Sequence, residues 1–440
     1  MTPAISPKAA TGGFTADAFA AHAAGQGASP AWWIERKREA HARFAALGMP
    51  ERTDEGWRFS NIGGLTLEGF ALPDPAGGSA AAAAPDFGLH PAASLVFANN
   101  RPVPGRAPAA DLTARGVVFC PLSQALSQHG DLLRRHFMAQ PQRLGSGKFA
   151  ALHTAFVGDG AFIYVPRGVE IGEPLLIHHL AEGAGAAVFP HTLVVAEENS
   201  AVTVIDRFAS VGGDAHFAIG ANDLYAGHGA RITYVGVQDW SRGTLSFQLN
   251  STIVRRDARV QSLNLHLGGR QARHESMSQL QAPGGFSEML ALTIADKDQE
   301  FDQRTLQIHQ APNTKSDLLY KNALRANSRT IFSGLIVVDP DAQKTDAYQS
   351  NRNLMLSDDA EASSLPGLEI QANDVRCTHG ATTSRIDPEQ EFYLKTRGIP
   401  ADMADELLVF GFFEEVLGRL SSENLHNALR GLIQSKFKPH

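Results

Sequence analysis

The sequence predicts a mainly β protein, a solenoid of stacked strands set between two helical ends. Three observations lead there. Helical periodicity stops near residue 160, a single strand–turn–strand unit then recurs six times, and helical patterns return beyond Pro400.

The repeats begin at Leu193 (LVVAEENSAVTVI), Asp223 (DLYAGHGARITYV), Thr252 (TIVRRDARVQSLNL), Leu280 (LQAPGGFSEMLALTI), Asn322 (NALRANSRTIFSGLIV) and Leu354 (LMLSDDAEASSLPGLEI). Each has a short strand, a polar turn rich in Asn, Asp or Gly, and a second strand. The first four recur roughly every 28–30 residues. The next step is longer and implies an insertion near residues 296–320. One hairpin-like unit cannot bury its own apolar face, whereas a stack of units can. A β-sandwich is the alternative, but its strands come about every 8–12 residues without such unit similarity. The hexapeptide repeat of left-handed β-helices is absent.

The first 60 residues read as helical. Ser29-Pro30 offers a capping hydroxyl followed by proline at the first helical position. Trp32, Trp33, Phe44 and Leu47 punctuate a charged run that Gly48 and Pro50 end. A second aromatic patch surrounds Trp57, Phe59 and Ile62. Residues 73–87 are a low-complexity linker, and the helical pattern resumes over 121–156. Residues 402–437 read as two amphipathic helices. Leu407, Leu408, Val409, Phe412, Phe413, Val416, Leu417 and Leu420 belong to the first. Ser421 or Ser422 caps the second, which carries Leu425, Leu429, Leu432 and Ile433. The chain thus divides into a helical region with linker (1–156), a β-helix core (157–375) and a C-terminal region (376–440).

Composition narrows the function. With 43% apolar and 19% charged residues the 440-residue chain is globular rather than disordered. A net charge of −7 without a basic run argues against nucleic acid as partner. The N-terminus lacks a secretory pattern, and no stretch approaches the roughly 18 apolar residues that span a bilayer, so a soluble cytoplasmic protein is expected. Two cysteines, Cys120 and Cys377, do not suggest a disulfide framework. Cys120 follows an apolar run and reads as a buried structural residue.

Most motifs fail. Leu144-Gly145-Ser146-Gly147-Lys148-Phe149 resembles a phosphate loop, but Gln142 stands where its first glycine belongs and Phe149 where Ser or Thr would bind magnesium. No nucleotide is expected on this chain. His178 and His179 point to opposite faces of a strand, and His266 and His274 have no cysteine nearby to complete a site. These four read as surface or hydrogen-bonded core residues. Cys377 and His379 differ. On a strand their spacing puts both on one face, roughly 7 Å apart. A thiolate and an imidazole are good ligands for iron or zinc, yet two donors leave a four-ligand site half filled. Distant residues or a second chain would have to supply the rest; a buried cysteine beside a hydrogen-bonded histidine is the plainer reading of the spacing.

Here the sequence resembles the SufB/SufD family of the SUF iron–sulfur cluster assembly system, on its SufD side. The matching stretches are Phe332-Ser333-Gly334-Leu335-Ile336, Asp346–Ser357 (DAYQSNRNLMLS), Leu368-Glu369-Ile370, Cys377–Thr382 (CTHGAT) and Phe392–Ile399 (FYLKTRGI). Gly48-Met49-Pro50 with Glu55-Gly56-Trp57-Arg58 resembles the family's opening motif. His379-Gly380 and the scarcity of cysteine favour SufD over SufB; Thr382-Thr383-Ser384 follows the SufB pattern, read as a shared feature. The resemblance implies a right-handed parallel β-helix flanked by helices. It implies a non-catalytic scaffold subunit pairing with a SufB-like paralogue and binding a SufC-type ABC ATPase through its C-terminal helices, with possible homodimers of the isolated chain. It also places a transient Fe–S cluster at the subunit interface, held here by Cys377 and His379. The alternatives are a stand-alone β-helix enzyme acting on polysaccharide and a zinc-binding structural protein using the same two residues.

Overall fold

Stacked strands need a backbone neighbour on each edge, and the chain supplies it by winding. The computed structural model describes residues 11–27, 29–74 and 88–437. Its strands form two ten-stranded sheets, and the chain passes from one to the other and back in a β-solenoid of about eight turns. Along the first sheet the parallel register Arg231↔Arg259, Arg259↔Phe286, Phe286↔Lys315, Lys315↔Asp346, Asp346↔Arg376 repeats without a slip. The two strands of a sequence unit therefore do not pair as a hairpin. Each inner strand pairs with the strand one turn before and one turn after it.

No insertion interrupts residues 296–320. Glu300–His309 and Lys315–Leu324 are ordinary rungs of the second and first sheets. The longer sequence step is a change of phase. The units from Leu193 to Leu280 turn at one edge of the rod, and those from Asn322 and Leu354 turn at the other, half a winding away.

The turns explain the recurrent Asn, Asp and Gly. At one edge Asn199, Gly229, Asp257, Gly284, Asn313 and Lys344 all have positive φ, one per winding. Their amides bond the next turn, as in Asn199 N–H to His228 O (2.8 Å), Asp257 to Pro283 O (3.0 Å) and Asn313 to Gln343 O (2.9 Å). Only Gly, Asn and Asp enter the left-handed region cheaply. Gly284 has φ +76°, and a Cβ there would lie 1.9 Å from Asp257 Oδ1.

The rod's two ends differ. At one, the first sheet finishes in Ala93–Ala98 with the short antiparallel Arg101–Val103, and the second in Val118–Pro121, antiparallel to Ala161–Val165. The N-terminal region expected as helical thus also supplies three short strands. At the other end, the ten-residue strands Glu361–Ile370 and Arg376–Arg385 are outermost and are bonded along one edge only.

Helices cover the outer faces. Ala31–Ala46 and Gly147–Phe156 pack on the second sheet, with Phe149 stacked on Phe247 at 3.8 Å between ring centres. Ala31–Ala46 begins one residue later than expected: Pro30 takes the cap position itself and no side chain caps the helix. Residues 121–156 hold three helices rather than one continuous pattern. Of the expected linker at 73–87, residues 75–87 lie outside the described residues. Ala401–Leu417 and Glu423–Ser435 pack on the first sheet, where Val409, Phe413, Val416 and Leu417 meet Leu263, Leu290 and Leu319. Ser422 caps the last helix by accepting from Leu425 N–H. Among the described residues no helix is long and apolar enough to cross a membrane.

Gly284→Ala should cost ~1–2 kcal/mol through its left-handed backbone, read as a lower urea midpoint. The protein should also be acid-labile. Burial depresses His153 to about 4, His179 to about 3, His274 to about 3 and His309 to about 4. A histidine buried neutral stabilises the fold above its unfolded pKa, and that gain is lost as pH falls toward the folded value. Asp206 and Asp223, each raised by burial to about 7, act oppositely, favouring the fold below their unfolded pKa and losing that gain as pH rises through 7. The histidines outnumber them, so the melting temperature should fall steadily from pH 6.5 to pH 4; a flat profile would contradict the neutral assignment.

Candidate functional site

Cys377 and His379 lie on Arg376–Arg385, the outermost strand of the first sheet. The strand pairs in parallel with Asp346–Met355, which sets Cys377 beside Ala347 and His379 beside Gln349. Ala347 and Gln349 are buried inside the rod. The same register turns Cys377 and His379 toward the rod's axis, and because no strand follows, that inward face is the open end. Cys377 is half-buried against the cluster of Ile336, Val338, Ala342, Ala347 and Ala372, and His379 is exposed.

Ion pairs tie down the strand's two ends. Arg376 bonds Asp346 at 3.0 Å and Arg385 bonds Asp358 at 2.5 Å. Beneath His379, Gln349 donates to Gly334 O (3.3 Å) and Gly367 O (3.1 Å), joining the last two strands of the second sheet to the first. Burial raises the Cys377 thiol above its ordinary range, opposed by a hydrogen bond from the Ala347 backbone and helped by the nearby Asp346 carboxylate. Among the described residues no group of three or more His, Cys, Asp or Glu is placed to hold a metal ion. Cys377 and His379 thus share the inward face of the outermost strand without a third such side chain beside them among the described residues.

The other singled-out residues are structural. His178 and His179 are both buried on Leu175–Glu182; His179 stacks between Phe97 and Phe208 with Asp206 at 3.4 Å. His266 and His274 stack on one another inside the rod, 3.7 Å between ring centres. Cys120 is buried, with its thiol pushed up to about 12 by burial and by Asp159. Lys148 of the phosphate-loop lookalike is spent on the carbonyls of Phe44 (2.9 Å) and Leu47 (2.7 Å), and Ser146 at that helix start donates to buried Glu275 (2.6 Å).

The structure adds a helix the sequence reading lacked, Pro388–Thr396, between the site and the C-terminal pair. Its signal is Asp387-Pro388: Asp387 caps by accepting from Glu389 N–H, and Pro388 opens the first turn. Exposed apolar side chains gather around the same end. Of the eight large apolar residues most exposed among those described, Tyr348, Leu365 and Ile370 lie on the last windings, and Phe392, Tyr393, Met403 and Leu407 on the helices beyond; Leu47 alone lies elsewhere.

Comparison with known proteins identifies the family. Residues 179–412 match the family described as SUF system FeS cluster assembly, SufBD core domain, and residues 88–177 match the SufBD protein N-terminal region. The chain is 31% identical over 332 residues to the iron–sulfur cluster assembly protein SufD of Bacillus subtilis, covering 74% of this chain and 76% of that one. It is 30% identical over 399 residues to SufD of Escherichia coli, covering 89% and 90%. It is 27% identical over 415 residues to an iron–sulfur cluster assembly SufBD family protein of Synechocystis, covering 92% and 91%. A core match across more than half the chain, joined to two SufD relatives at 30–31% identity, establishes that the chain belongs to the SufBD family of iron–sulfur cluster assembly proteins and is of the SufD type.

Proposed function

We propose that this chain is a non-catalytic scaffold subunit whose open rod end docks a SufB-like paralogue, a nascent Fe–S cluster forming between them with Cys377 and His379 as this chain's ligands. The observation that carries the reading is the pair of outermost strands, each with one free edge, with Cys377 and His379 both on the inward face of Arg376–Arg385. Two long free strand edges are a liability that folded proteins cover, and a second β-rod covers them best. The half-filled ligand set needs donors from that partner. The cluster is cargo, received and passed on, which suits two ligands better than a closed site. The exposed Phe392, Tyr393, Met403 and Leu407 support a second surface, on the C-terminal helices, for a SufC-type ATPase. A structural zinc site using Cys377 and His379 is disfavoured, because such sites close with four ligands and none of the described residues supplies the other two. A polysaccharide-cleaving β-helix enzyme is disfavoured because the family model that matches more than half the chain is described as iron–sulfur cluster assembly.

Cys377 binds iron as thiolate, so loading costs a proton and strengthens as pH rises. Iodoacetamide should alkylate Cys377 faster with rising pH, with its midpoint above that of an ordinary thiol, while Cys120 stays unmodified in the folded chain; mass spectrometry of both peptides checks this. His379→Ala should lower cluster yield in a reconstituted complex with the paralogue and ATPase, since losing even an outer-shell partner costs roughly 10–100-fold in metal affinity. The melting temperature of the isolated subunit should not move, because the side chain is exposed. Full cluster yield from this variant removes His379 from the ligand set.

A further inference from the structure

The strand that carries the two donors is bonded along one edge, and the ion pairs at its ends are exposed. We infer that a file of buried amides inside the rod holds its inward face in line, with Asn353 as the last member and the positioning residue for the Cys377–His379 strand. This deepens the docking reading above and rests on it for its functional meaning.

His266, Thr293, Asn322, Asn353 and Thr383 occupy one register column across five consecutive strands of the first sheet. Gln303 reaches in from the second sheet. The bonds run without a break: His266 Nδ1 to Thr293 Oγ1 at 3.1 Å, Gln303 Nε2 to Thr293 Oγ1 at 2.8 Å and to Asn322 Oδ1 at 3.2 Å, and Asn322 Nδ2 to Asn353 Oδ1 at 2.8 Å. Asn353 Nδ2 then faces Asn351 Oδ1 (3.1 Å), Ser364 Oγ (3.2 Å) and Thr383 Oγ1 (3.3 Å). Ser364 closes the set by donating to Asn351 Oδ1 at 2.6 Å. One carboxamide thereby joins its own strand to both outermost strands, Ser364 lying on Glu361–Ile370 and Thr383 on Arg376–Arg385.

The file has a direction. Asn322 and Asn353 each accept on the oxygen from deeper in the rod and donate from the nitrogen toward the open end, an alignment in which neighbouring bonds strengthen one another. An apolar side chain would fill the same space and leave the strand free to shift or twist. Further back, the same column is filled by stacked rings, Phe97 on His179 at 5.0 Å and His179 on Phe208 at 5.4 Å. Amides take over where the column nears the outermost strand. Thr383 lies four residues after His379 on the same face, so fixing Thr383 fixes the direction of His379 and Cys377.

Hydrogen exchange on the full-length chain tests the inference with two variants. Asn353→Leu removes the joint, and Thr383→Val removes only its exposed end and leaves the core intact. The amides of Arg376–Arg385 that bond Asp346–Met355 should exchange roughly tenfold faster or more in Asn353→Leu, and measurably faster in Thr383→Val, while those of the central rungs keep their original rates. If Asn353→Leu does not fold, local loss of protection in Thr383→Val is sufficient support. The inference is overturned if Thr383→Val exchanges like the parent and Asn353→Leu shows either no change or a loss spread along the whole rod. Binding to a SufB-type partner, measured on the same samples, separates the two readings. Faster local exchange with unchanged partner affinity keeps Asn353 as a positioning residue and removes the docking role of the strand.

Discussion

A strand in a parallel stack carries hydrogen-bonding groups on both edges, and only a neighbour on each side satisfies them. Most of this molecule follows from that requirement. Winding gives every inner strand two neighbours. Helices from either end of the chain then seal the outer faces, where Leu263, Leu290 and Leu319 on one sheet and Phe247 on the other would otherwise meet water. At one end the terminal strands are short and antiparallel, and at the other two ten-residue parallel strands leave a long edge unmet. Cys377 and His379 lie at the unmet end.

The fold class was legible because left-handed turn positions admit few residue types. Asn199, Gly229, Asp257, Gly284 and Asn313 announce the windings, and their spacing gives the period. Lys344 and Ala326 adopt the same backbone with residues that give no such signal, so the phase of the later windings was harder to read. The apparent insertion near residue 300 arises there. Pro388–Thr396 was announced by Asp387-Pro388, but its short, mostly exposed sequence has little apolar period to confirm it.

The site was legible in part. Two-residue spacing fixes a common face for Cys377 and His379, yet says nothing of which face. That depends on pairing with Ala347 and Gln349, and register between distant strands is not written locally. The buried polar interior was likewise hidden. His191, Asp223, Gln303 and Asn322 look like surface residues one at a time, and only the winding brings them together. Burial there is tolerated because partners come from several turns at once. His153 Nε2 lies 3.1 Å from His191 Nδ1, and Asp223 accepts from Met138 N–H at 2.7 Å.

The difference between the two ends has a consequence for stoichiometry. A rod with two free ends could add copies without limit and grow into a filament. Here the terminal strands at one end, Arg101–Val103 and Val118–Pro121, are three and four residues long and antiparallel, so they offer a further rod far less edge than the ten-residue strands at the other end. If two such rods joined at their long-strand ends, the short antiparallel strands would face outward and offer little edge for a third.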